Sequence, residues 1–328
     1  MFMNLSPRIF GLIFILVAGS PSLSAKHNLQ DTLNKHTENY INLEFSNDIF
    51  FKTDYYFTHG FLLELQIERL ALRLSDRLNL YTRKPVERRY NYNLQQNIYT
   101  PVNYTTDTIN YHDRPYAGTL SLSYKEEIYI GNTQNTFGIS IGALGKPSGA
   151  EQIQNFIHSV IHNNLSIGWD NQINTDIIIN FHYTYCRRLV SSEYFDFTGS
   201  ALINAGTLNT DLSGKLNFRL GKYNHRFGDS GPLKTNHRRE NWQYYLYLGI
   251  IPKLVLFNAT LQGGVINRSK DEHVFTYDQI ENLVLGIEWG LVIGYRGFLF
   301  AFRANSITPE FEGGKPHAFA SLQLKYLF

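Results

Sequence analysis

Two histidines lie four residues apart in the segment EQIQNFIHSVIH at 151–162. Imidazole changes its charge close to neutral pH, so His158 could act as a general base that activates water for hydrolysis. On a helix, His158 and His162 would share one face, and by spacing alone they could ligate zinc. The zinc pattern is incomplete, because no glutamate follows His158 and no third ligand is evident. A single histidine on a loop helix more often has a structural role, so both interpretations of His158 stay open on the spacing alone.

Oxygen-bearing side chains cluster where the first two predicted strands meet. Asn47 and Asp48 end the first strand, and Thr58 begins the second after a connection at 50–57. Amide, carboxylate and hydroxyl oxygens suit a hard cation such as Ca²⁺, which can act as a Lewis acid on an ester carbonyl. The alternative is that Asn-Asp is a turn signal at a strand end. Because neighbouring strand residues face opposite sides, Asn47 and Asp48 can share a side only where the strand bulges or ends.

Two further residues have both a functional and a structural interpretation. Arg114, in DRPYAG at 113–118, could place its guanidinium on a phosphate of the substrate or form a surface ion pair. His59, beside the threonine at position 58, could assist catalysis or line the barrel. The sequence contains neither a phosphate-cradling glycine loop nor a Gly-x-Ser-x-Gly nucleophile motif. Nothing in the sequence therefore supports a serine nucleophile.

The segment at 151–162 breaks the alternation that governs the rest of the chain. Its apolar residues recur at i, i+3, i+4, i+7 and i+8, which predicts an amphipathic helix. Those residues are Ile153, Phe156, Ile157, Val160 and Ile161. Glu151 would lie favourably in the first turn. We expect this short helix in an extracellular loop, with its apolar face packed on the barrel wall and a polar side chain held towards a cleft.

Most of the chain alternates between apolar and polar residues, which is the pattern of strands with two different faces. In the final segment HAFASLQLKYLF at 317–328, alternate residues from Ala318 to Phe328 form one apolar row. Such a strand fits between lipid and a polar interior. A terminal aromatic residue such as Phe328 resembles the recognition signal of bacterial outer-membrane barrels. The pattern therefore predicts an all-β fold, a transmembrane antiparallel β-barrel.

The alternation predicts about twelve strands, an even number as expected when both termini face the periplasm. They are placed at 40–49, 58–72, 90–100, 116–130, 135–145, 173–189, 194–206, 211–222, 241–258, 278–294, 297–307 and 317–328. Many exceed the roughly 9–11 residues that cross a bilayer, so we expect them to extend beyond it. Two connections, 73–89 and 223–240, are long for periplasmic turns and could form small ordered caps or indicate a misplaced strand. A soluble β-sandwich or a periplasmic barrel is the alternative fold.

The first 25 residues have the layout of a cleavable signal peptide. Arg8 precedes an apolar stretch at 9–19, and a tail of small residues ends at Ala25. We therefore expect residues 26–328 to form one barrel domain. The only cysteine, Cys186, lies far from that tail, which excludes a lipoprotein anchor and an internal disulfide framework. A net charge of +2 gives no case for nucleic-acid binding.

Three blocks of the sequence resemble the lipid A 3′-O-deacylases, outer-membrane enzymes that remove an acyloxyacyl chain from lipopolysaccharide. The first block is EFSNDIFFKTDYYFTHG at 44–60. The second is QQNIYTP at 95–101, followed by DRPYAG at 113–118. The third is SGAEQIQNFIHSVIH at 148–162, followed by GWDNQI at 168–173. The blocks span the first half of the mature chain, and the second half matches mainly in pattern and length.

The resemblance implies an active site on the outer barrel wall, covered by the helix from the extracellular loop. It implies that His158 is the catalytic base and that Asn47, Asp48 and Thr58 belong to the site, where Ca²⁺ polarises the ester carbonyl. The family carries a glutamate six residues after the histidine, and this sequence has Asn164 at that position. An amide oxygen can still bind calcium but brings no charge, so we expect weaker metal binding.

Residues and resemblance together predict an outer-membrane esterase that hydrolyses the 3′-linked acyloxyacyl chain of lipid A, with its site facing the outer leaflet. The predicted base is His158, the predicted catalytic neighbours are Asn47 and Thr58, and the predicted calcium ligands are Asp48, Asn47 and Asn164. The expected partners are lipid A and outer-membrane lipids, with the protein a monomer. The alternatives are another lipid hydrolase, such as a phospholipase, or a non-enzymatic barrel that serves as a pore or adhesion scaffold.

Overall fold

The computed structural model describes residues 23–24, 39–51, 53, 55–77, 87–223 and 242–328. Within these residues, twelve long strands form the main body of the protein. They are β1 (Tyr40–Asn47), β2 (Tyr56–Gln66), β3 (Glu87–Thr100), β4 (Ala117–Ile130), β5 (Thr133–Leu144), β6 (Asp176–Ser191), β7 (Phe195–Gly206), β8 (Asn209–Lys222), β9 (Gln243–Asn258), β10 (Leu283–Tyr295), β11 (Phe298–Ile307) and β12 (His317–Leu327). A separate dipeptide, Leu23–Ser24, pairs in parallel with Val190 and Ser191 of β6. The remainder of the predicted signal peptide lies outside the described residues.

The strands close into a barrel. Each one pairs antiparallel with its neighbours in the sequence, and β12 pairs with β1 to complete the circle. The prediction of an antiparallel barrel of about twelve strands is therefore confirmed. The Phe328 N–H donates to the Asn39 carbonyl at 3.0 Å, so the start of β1 and the end of β12 lie together. We call this end of the barrel the terminal end and the opposite end the mouth.

The two faces of the wall differ as the alternation predicts. On β1, Leu43 and Phe45 are exposed on the outside, whereas Asn42 and Ser46 are buried towards the interior. The exposed row continues on the other strands with Phe61, Leu94, Leu122, Ile141, Phe181, Ile203, Phe218, Leu246, Trp289, Phe300 and Leu324. This apolar belt is the surface that a barrel presents to lipid. None of the helices in the described part of the chain is long and apolar enough to cross a membrane.

The interior of the barrel contains polar side chains that pair with one another. Arg219 and Asp196, on β8 and β7, form a buried ion pair. On β5, β6 and β7, Ser140, His182 and Asn204 are linked by hydrogen bonds of 2.6 Å. Such pairing satisfies polar groups that would be costly to bury alone. The interior thus holds the polar half of the alternating pattern.

Connections at the two ends of the barrel differ in length. At the terminal end, residues 131–132 and 296–297 are tight turns between neighbouring strands. At the mouth, the connections at 101–116, 145–175 and 259–282 are much longer. The connections at the mouth are therefore long enough to build a site, whereas most connections at the terminal end are not.

Short helices lie in the connections. The α-helices are α1 (Leu74–Arg77), α2 (Ala150–Val160) and α3 (Ala259–Gln262). Single 3-10 turns occur at Ile49–Phe51, Glu68–Leu70, Lys146–Ser148, Gly168–Asn171, Arg268–Lys270 and Tyr277–Gln279. The predicted helix at 151–162 is α2, which begins one residue earlier and ends two residues earlier. Gly149, with φ of +68°, turns the chain directly before it, a conformation that glycine adopts without strain.

Two strands differ from their predicted bounds by five residues or more at one end. β2 ends at Gln66 and not at 72, because the chain turns into the 3-10 segment that follows. β10 begins at Leu283 and not at 278. There, Thr276 and Gln279 form a capping box that starts a 3-10 turn, so local side-chain hydrogen bonds compete with the strand.

The first long connection at the terminal end is partly ordered as a cap. Its helix α1 is fixed by Ser75, whose backbone N–H donates to Glu126 Oε2 at 3.1 Å and whose hydroxyl donates to Oε1 at 2.5 Å. The described part of this connection therefore agrees with the predicted cap. Its residues 78–86, and residues 224–241 of the second long connection, lie outside the described residues.

Candidate active site on the outer wall

Helix α2 packs on the outside of the barrel, where Gly118 of β4 leaves room for it. A Cβ at Gly118 would lie 2.4 Å from the Cβ of Ala150, the first residue of α2. Beside this contact, the side-chain amide of Gln96 donates to the Ser148 carbonyl at 2.5 Å. Ile98, an outward residue of β3, is buried in a cluster with Ala150. The helix therefore covers part of the outer wall, as the resemblance implied.

The prediction for the orientation of α2 is wrong. The sequence places the apolar face on the wall, but Phe156 and Val160 are 67% and 61% exposed. The polar residues Gln154 and His158 are turned inward instead, with 0% and 1% exposed. Because the wall beneath the helix carries polar side chains at this height, the polar face of the helix is the complementary one.

Hydrogen bonding fixes which nitrogen of His158 carries the proton. Its Nδ1 lies 2.6 Å from the backbone carbonyl of Asn164, in the segment after α2. A carbonyl oxygen only accepts, so Nδ1 donates, and Nε2 of the neutral ring keeps its lone pair. The segment after the helix thus orients the imidazole and leaves Nε2 as the basic nitrogen, which a general base requires.

Gln154, one helical turn before His158, is a candidate site residue that the sequence analysis missed. Its Oε1 accepts from the indole N–H of Trp169 at 2.8 Å. Its Nε2 is buried and has no hydrogen-bond partner among the described residues. Leaving a buried donor unsatisfied costs about 1–3 kcal/mol, so this group is suited to an acceptor on a ligand. The spacing i, i+4 from the histidine was the available signal, because it puts both residues on one helix face.

The covered part of the wall carries Asn47 and His59 on its outward face. The two residues are register partners on β1 and β2, and they follow the exposed pair Phe45 and Phe61 on the same face. The Ile49 N–H donates to Asn47 Oδ1 at 2.7 Å, which turns the amide nitrogen of Asn47 towards His59 Nδ1. The Thr58 carbonyl also lies 2.6 Å from His59 Nδ1 and can only accept, so this nitrogen cannot donate to it and accept from Asn47 at the same time. The wall thus presents an amide and an imidazole in contact to the helix.

His59 also connects this pair to the helix. Its ring centroid lies 6.4 Å from that of His158, in an edge-to-face arrangement. The ring of Tyr104 packs on His158 as well, with 5.3 Å between centroids. The structure therefore brings His158 to the patch of wall that holds Asn47. Of the two roles that the sequence left open for His59, its outward face excludes lining the barrel interior.

Thr58 lies next to this pair because β2 contains a bulge. Phe57 and His59 are paired with consecutive residues of β3, and Thr58 is the extra residue between them. The Thr58 hydroxyl lies 2.7 Å from the hydroxyl of Thr100, and both residues are buried. The structure thus places Thr58 at the edge of the site with a hydroxyl partner of its own.

The structure places the predicted calcium ligands Asp48 and Asn164 in different surroundings. β1 ends at Asn47, so Asp48 leaves the strand, and its Oδ2 accepts the Tyr55 N–H at 2.9 Å. The side chain of Asn164 is exposed, and its backbone carbonyl is the group bonded to His158. Calcium takes about six to eight oxygen ligands. Among the described residues, no group of three His, Cys, Asp or Glu side chains is placed to hold a metal ion.

Arg114 lies in the mouth and is buried. Its Nη1 donates to Glu310 Oε2 at 2.7 Å, its Nη2 donates to the Thr260 hydroxyl at 2.6 Å, and the guanidinium lies 4.3 Å above the Tyr99 ring. The alternative of a surface ion pair is wrong, because this pair is enclosed by the connections of the mouth. A substrate phosphate would have to displace these partners to bind both terminal nitrogens.

A cavity of about 380 Å³ lies beside the site in the mouth. Its lining comes mainly from the connection at 101–116, together with His273 and residues of the β5–β6 connection. Tyr116 lines the cavity and donates its hydroxyl to the Tyr104 carbonyl at 3.0 Å, and the Tyr104 ring packs on His158. Two tyrosines, Tyr116 and Tyr104, therefore lie between the cavity and the histidine.

The barrel is closed, has an apolar outer belt and carries a helix-covered polar site on that same outer face. These features define a membrane β-barrel whose candidate site faces lipid. A family model described as "Outer membrane protein LpxR" matches residues 10–328, so the chain belongs to this family and is an outer-membrane protein. No curated protein matches the chain.

Similarity to the solved structure of LpxR from Salmonella typhimurium shows the same fold. LpxR from Salmonella typhimurium superposes with a TM-score of 0.71 at 19% identity, over 88% of this chain and 100% of that chain. The translocator domain of the autotransporter NalP from Neisseria meningitidis gives 0.40 at 10% identity, over 89% and 90% of the two chains. The KdgM porin gives 0.39 at 6% identity, over 88% and 99%.

Proposed function

We propose that this protein hydrolyses the ester that links the 3′ acyloxyacyl chain to lipid A, in the outer leaflet of the outer membrane. The observation that carries the proposal is a buried imidazole, His158, held by a carbonyl at Nδ1 against polar residues on the outer wall. The outer wall is the surface at which a lipid substrate meets a barrel. Family membership and the three sequence blocks support the same reaction.

His158 acts as the general base in this proposal. Its Nε2 takes a proton from water while the water oxygen bonds to the ester carbonyl carbon. The bond between that carbon and the sugar oxygen then breaks, and His158 returns the proton to the leaving oxygen. The products are a free acyloxyacyl acid and a hydroxyl group on the sugar.

Gln154 is the donor that we assign to the carbonyl oxygen. Negative charge develops on this oxygen during attack, and a fixed donor stabilises it. The Gln154 amide is held by Trp169 through Oε1, so its Nε2 has a set direction before the substrate arrives. Asn47 and Thr58, on the wall, would orient the substrate beside the helix.

The cavity in the mouth would hold part of the sugar head group. It is joined to His158 through Tyr116 and Tyr104. Its lining includes the neutral polar residues Asn103, Thr106, Thr108 and Asn110 beside the charged residues Asp107, Asp113 and Arg114. Hydroxyl groups of a sugar ring can both donate to and accept from such side chains. The acyl chains would leave this site towards the apolar belt.

Calcium remains a predicted activator, and no step of the proposed reaction passes through it. Asp48 is the one carboxylate among the three predicted ligands, and Asn164 is neutral, so we expect binding in the weak range. Activity measured over a calcium series should then show a half-activating concentration that falls by about tenfold or more in Asn164→Glu, which adds a charged ligand. An unchanged calcium response in that variant would remove position 164 from the proposal.

Mass spectrometry of lipid A from cells that express matched histidine variants tests the function. His158→Asn should lower the removal of the 3′ acyloxyacyl chain by about 10²–10⁴-fold, the usual contribution of a general base. His162→Asn is the control, because His162 is exposed and has φ of +57°, a conformation that asparagine tolerates. Both variants must show the folded barrel by heat-dependent gel mobility.

Two outcomes would contradict the proposal. Unchanged lipid A in cells with folded wild-type protein and added calcium would refute lipid A as the substrate. Equal activity of the two histidine variants would refute His158 as the base. Glycerophospholipid micelles assayed in parallel distinguish the alternative of a phospholipase, which would cleave them and leave lipid A intact.

A further inference from the structure

Large apolar side chains cover the outside of α2 and of the segment after it. All of them are exposed, and they are Ile153, Phe156, Val160, Ile161, Leu165 and Ile167. A helix that faces water normally buries such residues and exposes its polar ones. Here the polar residues Gln154 and His158 are buried against the protein. The outer face of α2 is therefore built for an apolar environment.

A second apolar segment lies on the β1–β2 connection, close to Asn47. It is the 3-10 turn Ile49–Phe51, and its three side chains are exposed. The Phe50 ring packs edge-to-face on Phe302 at 5.9 Å. Phe302 in turn lies 6.0 Å from Trp289, a member of the apolar belt. The turn is therefore continuous with the lipid-facing surface of the barrel.

The two apolar segments belong to the two elements that form the site. One belongs to the helix that carries His158, and the other directly follows Asn47 on the wall. Soluble surfaces rarely expose apolar patches of more than a few hundred Å², and larger ones indicate a membrane or protein partner. Continuity with the belt identifies lipid acyl chains as the partner, because the belt is already in contact with them in the outer membrane.

We propose that the outer face of α2 and the turn Ile49–Phe51 insert into the acyl layer of the membrane and hold the site at the depth of the lipid ester groups. A helix that lies in the interface buries its apolar face roughly 5–10 Å into the boundary between head groups and acyl chains. His158, on the opposite face of the same helix, then lies at the level at which acyl chains join their head groups. This inference rests on the outer-membrane location and would stand without the proposed hydrolysis.

Fluorescence quenching of labelled cysteine variants in lipid vesicles tests the insertion. The background is Cys186→Ser, and an environment-sensitive fluorophore is attached at Phe156→Cys, at Val160→Cys or at the control Glu272→Cys. Glu272 is an exposed polar residue in the β9–β10 connection of the mouth. The vesicles contain phosphatidylcholine with a nitroxide on the acyl chain, and iodide serves as the quencher in water.

The labels at 156 and 160 should be quenched by the nitroxide lipid at least ~threefold more than the label at 272, with the reverse order for iodide. Iodide quenching at both helix positions equal to that at 272 would overturn the proposal. Agreement of the two helix positions guards against a local effect of one substitution. The measurement requires only the folded barrel in a bilayer, so a failure of the proposed hydrolysis is detected separately by the lipid A assay.

Discussion

His158 and Gln154 show how one helical turn supplies two chemically different groups to a single site. The histidine has its proton fixed at Nδ1 by a backbone carbonyl, and the glutamine has its oxygen fixed by an indole N–H. Each side chain is therefore oriented by one atom, and in the proposed reaction it reacts or donates with the other. Such second contacts determine orientation, and mutating them affects a site without touching the reacting atoms.

Gln154→Glu should separate the donor role of Gln154 from its packing role. The carboxylate keeps an oxygen for the Trp169 indole but removes the N–H donor and adds negative charge near the developing oxyanion. We expect a loss of about 10²–10³ in the turnover rate, as for the removal of one oxyanion donor. The rate is measured on purified lipid A in detergent. A rate within twofold of wild type would contradict the assignment of Gln154.

Residue type and spacing identified some members of the site and not others. His158 could be chosen because histidine suits proton transfer near neutral pH and because its segment resembles a block of the deacylases. The i, i+4 spacing places Gln154 on the same helix face as His158, but it does not show that the amide is buried with one atom unpartnered, which is what makes it a candidate. The burial of Arg114 was equally hidden, since its partner Glu310 is far away in the sequence and meets it only in the folded mouth.

The orientation of α2 is decided by its surroundings and not by its own sequence. The periodicity correctly gives a helix with one apolar and one polar face, and it gives the bounds to within two residues. The periodicity does not state which face meets the protein. In water the apolar face would be buried, but beside a lipid-facing wall with polar residues the preference is reversed. The strand pattern leaves no such ambiguity, because a membrane barrel turns the apolar face of each strand outward and the polar face inward.

Gly118→Ala should displace α2 from the wall and leave the barrel intact. The new Cβ would lie 2.2 Å from the Ser148 hydroxyl and 2.4 Å from the Ala150 Cβ, so the start of the helix must move. Overpacking of this kind costs about 1–3 kcal/mol. We expect lost activity together with faster proteolysis within 145–175. Activity on lipid A and limited proteolysis of the folded protein measure the two effects.

Gly286→Ala is the matched control for this displacement. Gly286 is also a strand glycine, but a Cβ there would lie 3.5 Å from the nearest atom, Ile251 Cβ, which is an ordinary contact. Wild-type activity and proteolysis are therefore expected. Full activity of Gly118→Ala would show that close packing at this point is not needed for the site.

The mouth is held together across the barrel by Arg114. This residue belongs to the β3–β4 connection, Thr260 to the β9–β10 connection and Glu310 to the β11–β12 connection. Burial alone would raise the pKa of Glu310, but the neighbouring cations, Arg114 foremost, outweigh that effect and hold the pKa below its usual value of 4.5. One buried guanidinium thus joins three connections that are far apart in the sequence.

The Arg114–Glu310 pair should make the stability of the protein depend on acid pH. Because the folded pKa of Glu310 is lowered, its contribution is complete above the unfolded value of 4.5 and is lost as the pH falls through the folded value. Glu310→Gln leaves a buried arginine without its counter-charge and should lower the free energy of unfolding by about 3 kcal/mol near neutral pH. It should also flatten the pH dependence below 4.5. Urea unfolding over a pH series measures both quantities.

Glu312→Gln serves as the control for the pH series. Glu312 lies two residues further along the same connection and is exposed, so its replacement should leave the wild-type profile unchanged. An identical pH profile for Glu310→Gln and wild type would show that the ion pair does not stabilise the mouth.

The bulge in β2 has a consequence for how such a site can be gained or lost in evolution. Thr58 is an extra residue in β2, and the pairing with β3 resumes in regular register on both sides of it. A single-codon insertion can therefore add a hydroxyl beside His59, and a deletion can remove it, while every other residue of the strand keeps its face. Descendants that differ at this one position could share an unchanged barrel and still diverge in the chemistry performed on its surface.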